Sequence, residues 1–203
     1  MATSAWLLAI VLFAISTSFS PGPNNLLLVT SGAKFGLSRT WRHIMGVAFG
    51  FPVMIAIIAI FLGAVFQALP WLHYALNYVG AAYLLYLTWK LVMAGGSMEE
   101  GNVGKPIGFV EAALFQWVNP KAWVMATGAI AAYTTTAGFG FEVAAIVAVF
   151  TLVGLGSSVT WASFGSFIAR FLHTPARMRA FTIVLGLLLL ASIVPILMAR
   201  APG

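Results

Sequence analysis

The sequence predicts an all-α integral membrane protein in which six transmembrane helices form two inverted three-helix repeats, with helices one and four broken. Three observations point there. Of 203 residues, 62% are hydrophobic and only 7% charged, against roughly 25% charged in an ordinary soluble domain. The apolar residues fall into six runs. Each is long enough to cross a hydrocarbon layer as a helix, which takes about 20 residues and satisfies its backbone hydrogen bonds internally. Two of the runs carry proline and asparagine at matching places.

The runs are approximately Ala5 to Ser31, His43 to Gln67, His73 to Ala94, Gly108 to Ala132, Val143 to Ala169 and Ala180 to Ala199. The first has no positive n-region, and apolar helix resumes after Pro21 and Pro23, so it reads as a span rather than a cleaved signal. No polar stretch exceeds Gly95 to Ile107. One polytopic domain is therefore expected, with repeat one over about residues 1–97 and repeat two over about 98–203. The chain has no cysteine, which removes disulfides, thiolate nucleophiles and Cys-based metal sites.

Basic residues set the orientation. Lys34, Arg39 and Arg42 lie between runs one and two, Lys90 and Lys105 flank the connection between three and four, and Arg170, Arg177 and Arg179 lie between five and six. The alternate connections, around Pro70 and from Thr134 to Gly140, have none. The positive-inside rule places the basic connections in the cytoplasm and both termini outside. The net charge of +6 thus reports topology and not nucleic acid, because the basic residues are dispersed over loops with no basic helical face.

Runs one and four are interrupted alike. "SFSPGPNNLLLV", from Ser18, and "QWVNPKAWVMATG", from Gln116, place Pro23 and Pro120 97 positions apart, close to half the chain. An odd number of spans per half inverts the second half relative to the first, as in inverted-repeat transporters. Proline removes an amide donor and clashes with the preceding turn, so each helix is expected to split there and restart with proline at its first position. Asn119 suits the cap before Pro120. The uncapped first-turn amides of a restarted helix, with about half a positive charge, form an anion site.

The candidate substrate-binding residues are accordingly Pro21, Gly22, Pro23, Asn24, Asn25, Gln116, Asn119, Pro120 and Lys121. Lys121 adds a full charge where lipid exposure is costly, so it is expected to face a cavity. A substrate carboxylate would meet Asn24, Asn25, Asn119 and Lys121. Its ammonium would meet carbonyls around Ser18 to Ser20 and Gln116 to Val118, with Gln116 and the serine hydroxyls assisting. The chain has no aspartate. Glu111 is the first candidate for carrying a coupling proton, ahead of Glu142 and His43, both expected at wetted helix ends, and Lys121 itself.

An enzyme would need a nucleophile, paired acids or a metal cluster within the spans, and the sequence offers none. No metal or cofactor is expected. A channel or a non-transporting membrane partner is the alternative that the breaks alone leave open. "GVAFG", Gly46 to Gly50, is a GxxxG match, and Gly154, Gly156 and Gly165 give run five a small-residue surface; tight packing within the chain and a homodimer both remain open.

"PGPNNLLLVTSGAKFG" from Pro21, "VGAAYLLYLTWKL" from Val79 and "FQWVNPKAW" from Phe115 together resemble the lysine exporter (LysE/RhtB) family of bacterial amino-acid exporters over nearly the whole chain. Within it, the chain is similar to the branch that exports cysteine and O-acetylserine. The resemblance implies efflux of small zwitterionic metabolites, amino acids or their derivatives, from the cytoplasm across the bacterial inner membrane by proton antiport. Glu111 departs from the neutral residue that many relatives carry.

Overall fold

The computed structural model describes residues 4–68, 82, 85, 86, 89, 105–172 and 174–198. The expected third span, His73 to Ala94, lies outside the described residues apart from the helical positions 82, 85, 86 and 89, as do Lys90, Glu99 and Glu100. Among the described residues there are six helices: α1 (Ser4–Phe19), α2 (Pro23–Ala68), α3 (Phe109–Val118), α4 (Pro120–Tyr133), α5 (Phe139–Ala169) and α6 (Pro175–Met198). By length and composition, Phe139–Ala169 is long and apolar enough to cross a membrane; the apolar stretch Pro23–Phe61 meets the same measure only when counted across its break at Gly36.

Proline opens α2, α4 and α6, the position where its missing amide is not needed and its fixed φ suits the helix. The two helices that restart after the interruptions are capped differently. Asn119 caps α4, its side chain accepting from the Lys121 amide at 3.2 Å. Before α2 stands Gly22, which has no side chain to offer the amides of Asn24 and Asn25.

The connection expected over Lys34 to Arg42 is not a loop. Helical residues run through it, and the only departure is Gly36, with φ 73° and ψ 167°, a conformation essentially confined to glycine. The chain reverses there. On a straight helix, residues twelve apart lie about 18 Å from each other, yet Ser31 Oγ and His43 Nδ1 are 3.0 Å apart. α2 is therefore a hairpin of two arms, residues 23–35 and 37–68. His43, expected at a wetted helix end, is buried, because the reversal lays the start of the second arm against the first.

Cross-contacts fix the running directions. Phe13 of α1 meets Phe150 of α5, Ser157 donates to Ser18 O at 2.8 Å, and Ser166 donates to Gly32 O at 2.9 Å. α1 and the first arm thus run alongside α5 in one direction. Gly46 lies on Phe109 and Gly50 on Ala113, so α3 runs with the second arm in the opposite direction. The GxxxG pair packs inside the protomer. On the other face of the first arm, a Cβ at Gly32 would fall on the Ala162 carbonyl and one at Gly165 on the Val29 carbonyl, so only hydrogen allows this approach.

The core joins α1, the second arm, α4 and α5 through Ile10, Met54, Ile55, Ala126, Ile146 and Phe150. Phe51 and Phe150 meet edge to face with centroids 5.4 Å apart, a favoured aromatic geometry. Leu152, Ile60 and Val124 are instead 73%, 72% and 70% exposed. Such outward apolar side chains, repeated along several helices, suit contact with acyl chains and not water.

Candidate functional site between the two interruptions

The two interruptions meet. α1 ends at Phe19 and α2 begins at Pro23; α3 ends at Val118 and α4 begins at Pro120. Lys121, in the first turn of α4, reaches across to the end of α1, where Nζ donates to Ser20 O at 2.6 Å and lies 3.5 Å from Pro21 O. Asn24 Nδ2 donates to Gln116 Oε1 at 3.2 Å, and Gln116 Nε2 donates to Ala112 O at 2.8 Å. Two residue pairs thus tie segments about a hundred positions apart.

Around these contacts lies a cavity of about 50 Å³, several times the space one water needs. Gly22, Asn24, Asn25, Gln116, Asn119 and Lys121 line it. Pro21, Pro23 and Pro120 do not; the latter two begin the helices whose first turns face it. Among the described residues of the lining, Lys121 is the one charged side chain and there is no carboxylate. The described part of the lining is therefore net positive. Glu111 stands apart, exposed on the first turn of α3. Glu142 is half-buried and accepts from the Thr135 amide and hydroxyl at the start of α5.

Of the carbonyls expected to receive a substrate ammonium, those of Ser18 and Ser20 are engaged by the protein itself. Ser18 O accepts from Asn25 Nδ2 at 2.9 Å and from Ser157 Oγ; Ser20 O accepts from Asn25 Nδ2 at 2.8 Å and from Lys121. The Ser20 hydroxyl turns back to Thr17 O. In contrast, Asn24 Oδ1 is buried and accepts from nothing among the described residues. An orphaned acceptor inside a polar cavity fits an entering N–H donor.

Sequence reasoning missed Phe51, Met125, Gly154, Ser157 and Ser158, which also line the cavity. Paired serines in an otherwise apolar span were the available signal for the last two, since polar groups at membrane depth tend to face a cavity or a partner.

The LysE type translocator family matches residues 15–197 of this chain. The chain belongs to that family. It is accordingly a helical integral membrane protein and a transporter, not an enzyme. The cysteine/O-acetylserine efflux protein of Escherichia coli strain K12 is 27% identical over 178 residues, covering 87% of this chain and 90% of that one. Its counterpart in Escherichia coli O139:H28 is 27% identical over 179 residues, covering 88% and 90%. The Shigella sonnei protein of the same name gives 27% over 178 residues, 87% and 90%. No solved structure matches. The translocator's cavity lies wholly within the matched region.

Proposed function

We propose that this translocator exports a small zwitterionic amino acid or close derivative from the cytoplasm across the bacterial inner membrane by proton antiport, gripping it between the two interruptions. The observation carrying this reading is the meeting of Lys121 with Ser20 O and of Asn24 with Gln116 around one cavity. The names of the relatives supply the cargo class: cysteine and O-acetylserine are small and zwitterionic. A net positive lining with an uncapped helix start suits the carboxylate. The orphaned Asn24 Oδ1 suits the ammonium.

The running directions support two inverted repeats. α1 with the first arm, and α3 with α4, are the interrupted spans of the two halves, and they pass the cavity in opposite senses. Alternating access then rocks one half against the other around the cavity. Glu111, at the start of α3, would take up its proton at the mouth of the pathway and not beside the cargo.

The test is efflux from a bacterial strain lacking its own exporters, loaded with L-cysteine or O-acetyl-L-serine, with and without this chain. Expression is expected to raise saturable efflux that collapses with the proton gradient. Non-saturable passage insensitive to that gradient would establish a channel instead.

A further inference from the structure

Lys121 sits where the cargo's ammonium is expected to sit. Its own helix start is the positive end of α4, and the side chain carries its ammonium across to the carbonyl end of α1, which is negative. Gly22 makes room: a Cβ there would come within 2.7 Å of Lys121 Cδ and 3.1 Å of Nζ. With Asn25 and Ser157 serving the neighbouring carbonyls, Lys121 is, among the described residues, the one long and charged donor at this end of α1. Asn24 Oδ1 meanwhile stays unused nearby on the same lining.

Resting on the export reading above, we propose that Lys121 is a tethered occupant of the substrate's ammonium subsite, released only by a ligand that also brings a carboxylate. A zwitterion draws the Lys121 ammonium off Ser20 O with its carboxylate and seats its own ammonium on the vacated carbonyl and on Asn24 Oδ1. A simple amine cannot do this. It would place a second cation beside Lys121 with no anion to offset either. The device therefore selects zwitterions over amines by requiring an exchange of partners, and not by the shape of the cavity.

The test compares L-cysteine with cysteamine, the same molecule without its carboxylate. The chain contains no cysteine, so neither thiol can form a disulfide with it. Radiolabelled ligands are equilibrated with the purified full-length protein, its Lys121→Met variant and its Gly22→Ala variant. A subsite held nine-tenths of the time by an internal competitor loses about tenfold in apparent affinity. Cysteamine is therefore expected to bind Lys121→Met about tenfold tighter than the unmodified protein, while L-cysteine, having lost its carboxylate partner, binds it more weakly. Gly22→Ala pushes the amine off Ser20 with its charge kept, so L-cysteine is expected to bind that variant several-fold tighter.

Equal cysteamine affinity for Lys121→Met and the unmodified protein overturns the proposal. Should Lys121→Met fail to fold, unchanged or weaker L-cysteine binding by Gly22→Ala overturns it. Counterflow of L-cysteine in proteoliposomes of the unmodified protein is measured in parallel. No counterflow alongside the cysteamine gain would refute L-cysteine as cargo and leave the tethered ammonium standing.

Discussion

At the scale of single residues, Asn24 and Asn25 are neighbours with different work. Both side-chain N–H groups of Asn25 are used on backbone carbonyls, those of Ser18 and Ser20, so Asn25 holds the chain ends of the interruption together. Hydrogen bonds at membrane depth contribute roughly 0.6 kcal/mol each and at most about 1.7. Asn25→Ala is thus expected to lower the melting temperature in detergent by a few degrees, and Asn25→Asp by more, because a carboxylate would face the same carbonyls as an acceptor. Asn24 makes one long bond, to Gln116, and leaves its oxygen unpaired. Asn24→Ala is expected to reach the membrane in normal amount and to lose most of its efflux. Quantitative blotting against efflux rate separates the two; equal loss of protein and of transport would make Asn24 a structural residue.

At the scale of elements, close contacts are specific to particular glycines. A Cβ at Gly165 would fall on the backbone of Val29, which can yield only by moving the first arm away from α5, whereas no described residue lies within 4 Å of a Cβ at Gly156. Overpacking of this kind costs about 1 to 3 kcal/mol, while alanine in an open helical position gains up to about 1 kcal/mol over glycine. Gly165→Ala is expected to reduce the yield of monodisperse protein, and Gly156→Ala to leave it unchanged or higher. Gly36→Ala is expected to destabilise with no neighbour involved, since its φ of 73° with ψ of 167° costs another residue roughly 1 to 3 kcal/mol. A Gly36→Ala protein with an unshifted melting temperature would contradict the hairpin.

These elements also show what was legible. Pro23 and Pro120 marked helix starts because proline's geometry is local, and Asn119 marked a cap for the same reason. The sharp reversal at Gly36 was hidden because the flanking residues, Ala33 to Phe35 and Leu37 to Thr40, are compatible with helix on both sides, and one glycine among 20 carries no label. The burial of His43 followed from that reversal and was missed with it. Gly154, Gly156 and Gly165 looked like one surface, yet one lines the cavity, one is open and one packs. A helix as apolar all round as α5 has no amphipathic stripe to say which side meets what, so Ser157 and Ser158 could not be aimed from the sequence.

At the scale of the whole molecule, the contacts sort the charges. The reversal at Gly36, the start of α3 and the end of α5 all lie at one end, because Ser31 meets His43, Gly46 meets Phe109 and Ser166 meets Gly32. Arg39, Arg42, Lys105, Arg170, Arg177 and Arg179 are exposed at that end. At the other end, Trp6 near the start of α1 donates to Tyr133 O at the end of α4, beside Thr135 and Glu142. Basic residues near span ends favour the cytoplasmic side, so this segregation argues for the Gly36 end inside and the Trp6 end outside. A chain without native cysteine allows a direct check. Single variants Arg39→Cys, Arg177→Cys and Thr135→Cys, expressed in intact cells, are challenged with a membrane-impermeant maleimide. Thr135→Cys is expected to label at once, and the other two only after the membrane is opened. Labelling of Arg39→Cys in intact cells would turn the protein over and place the Gly36 end outside.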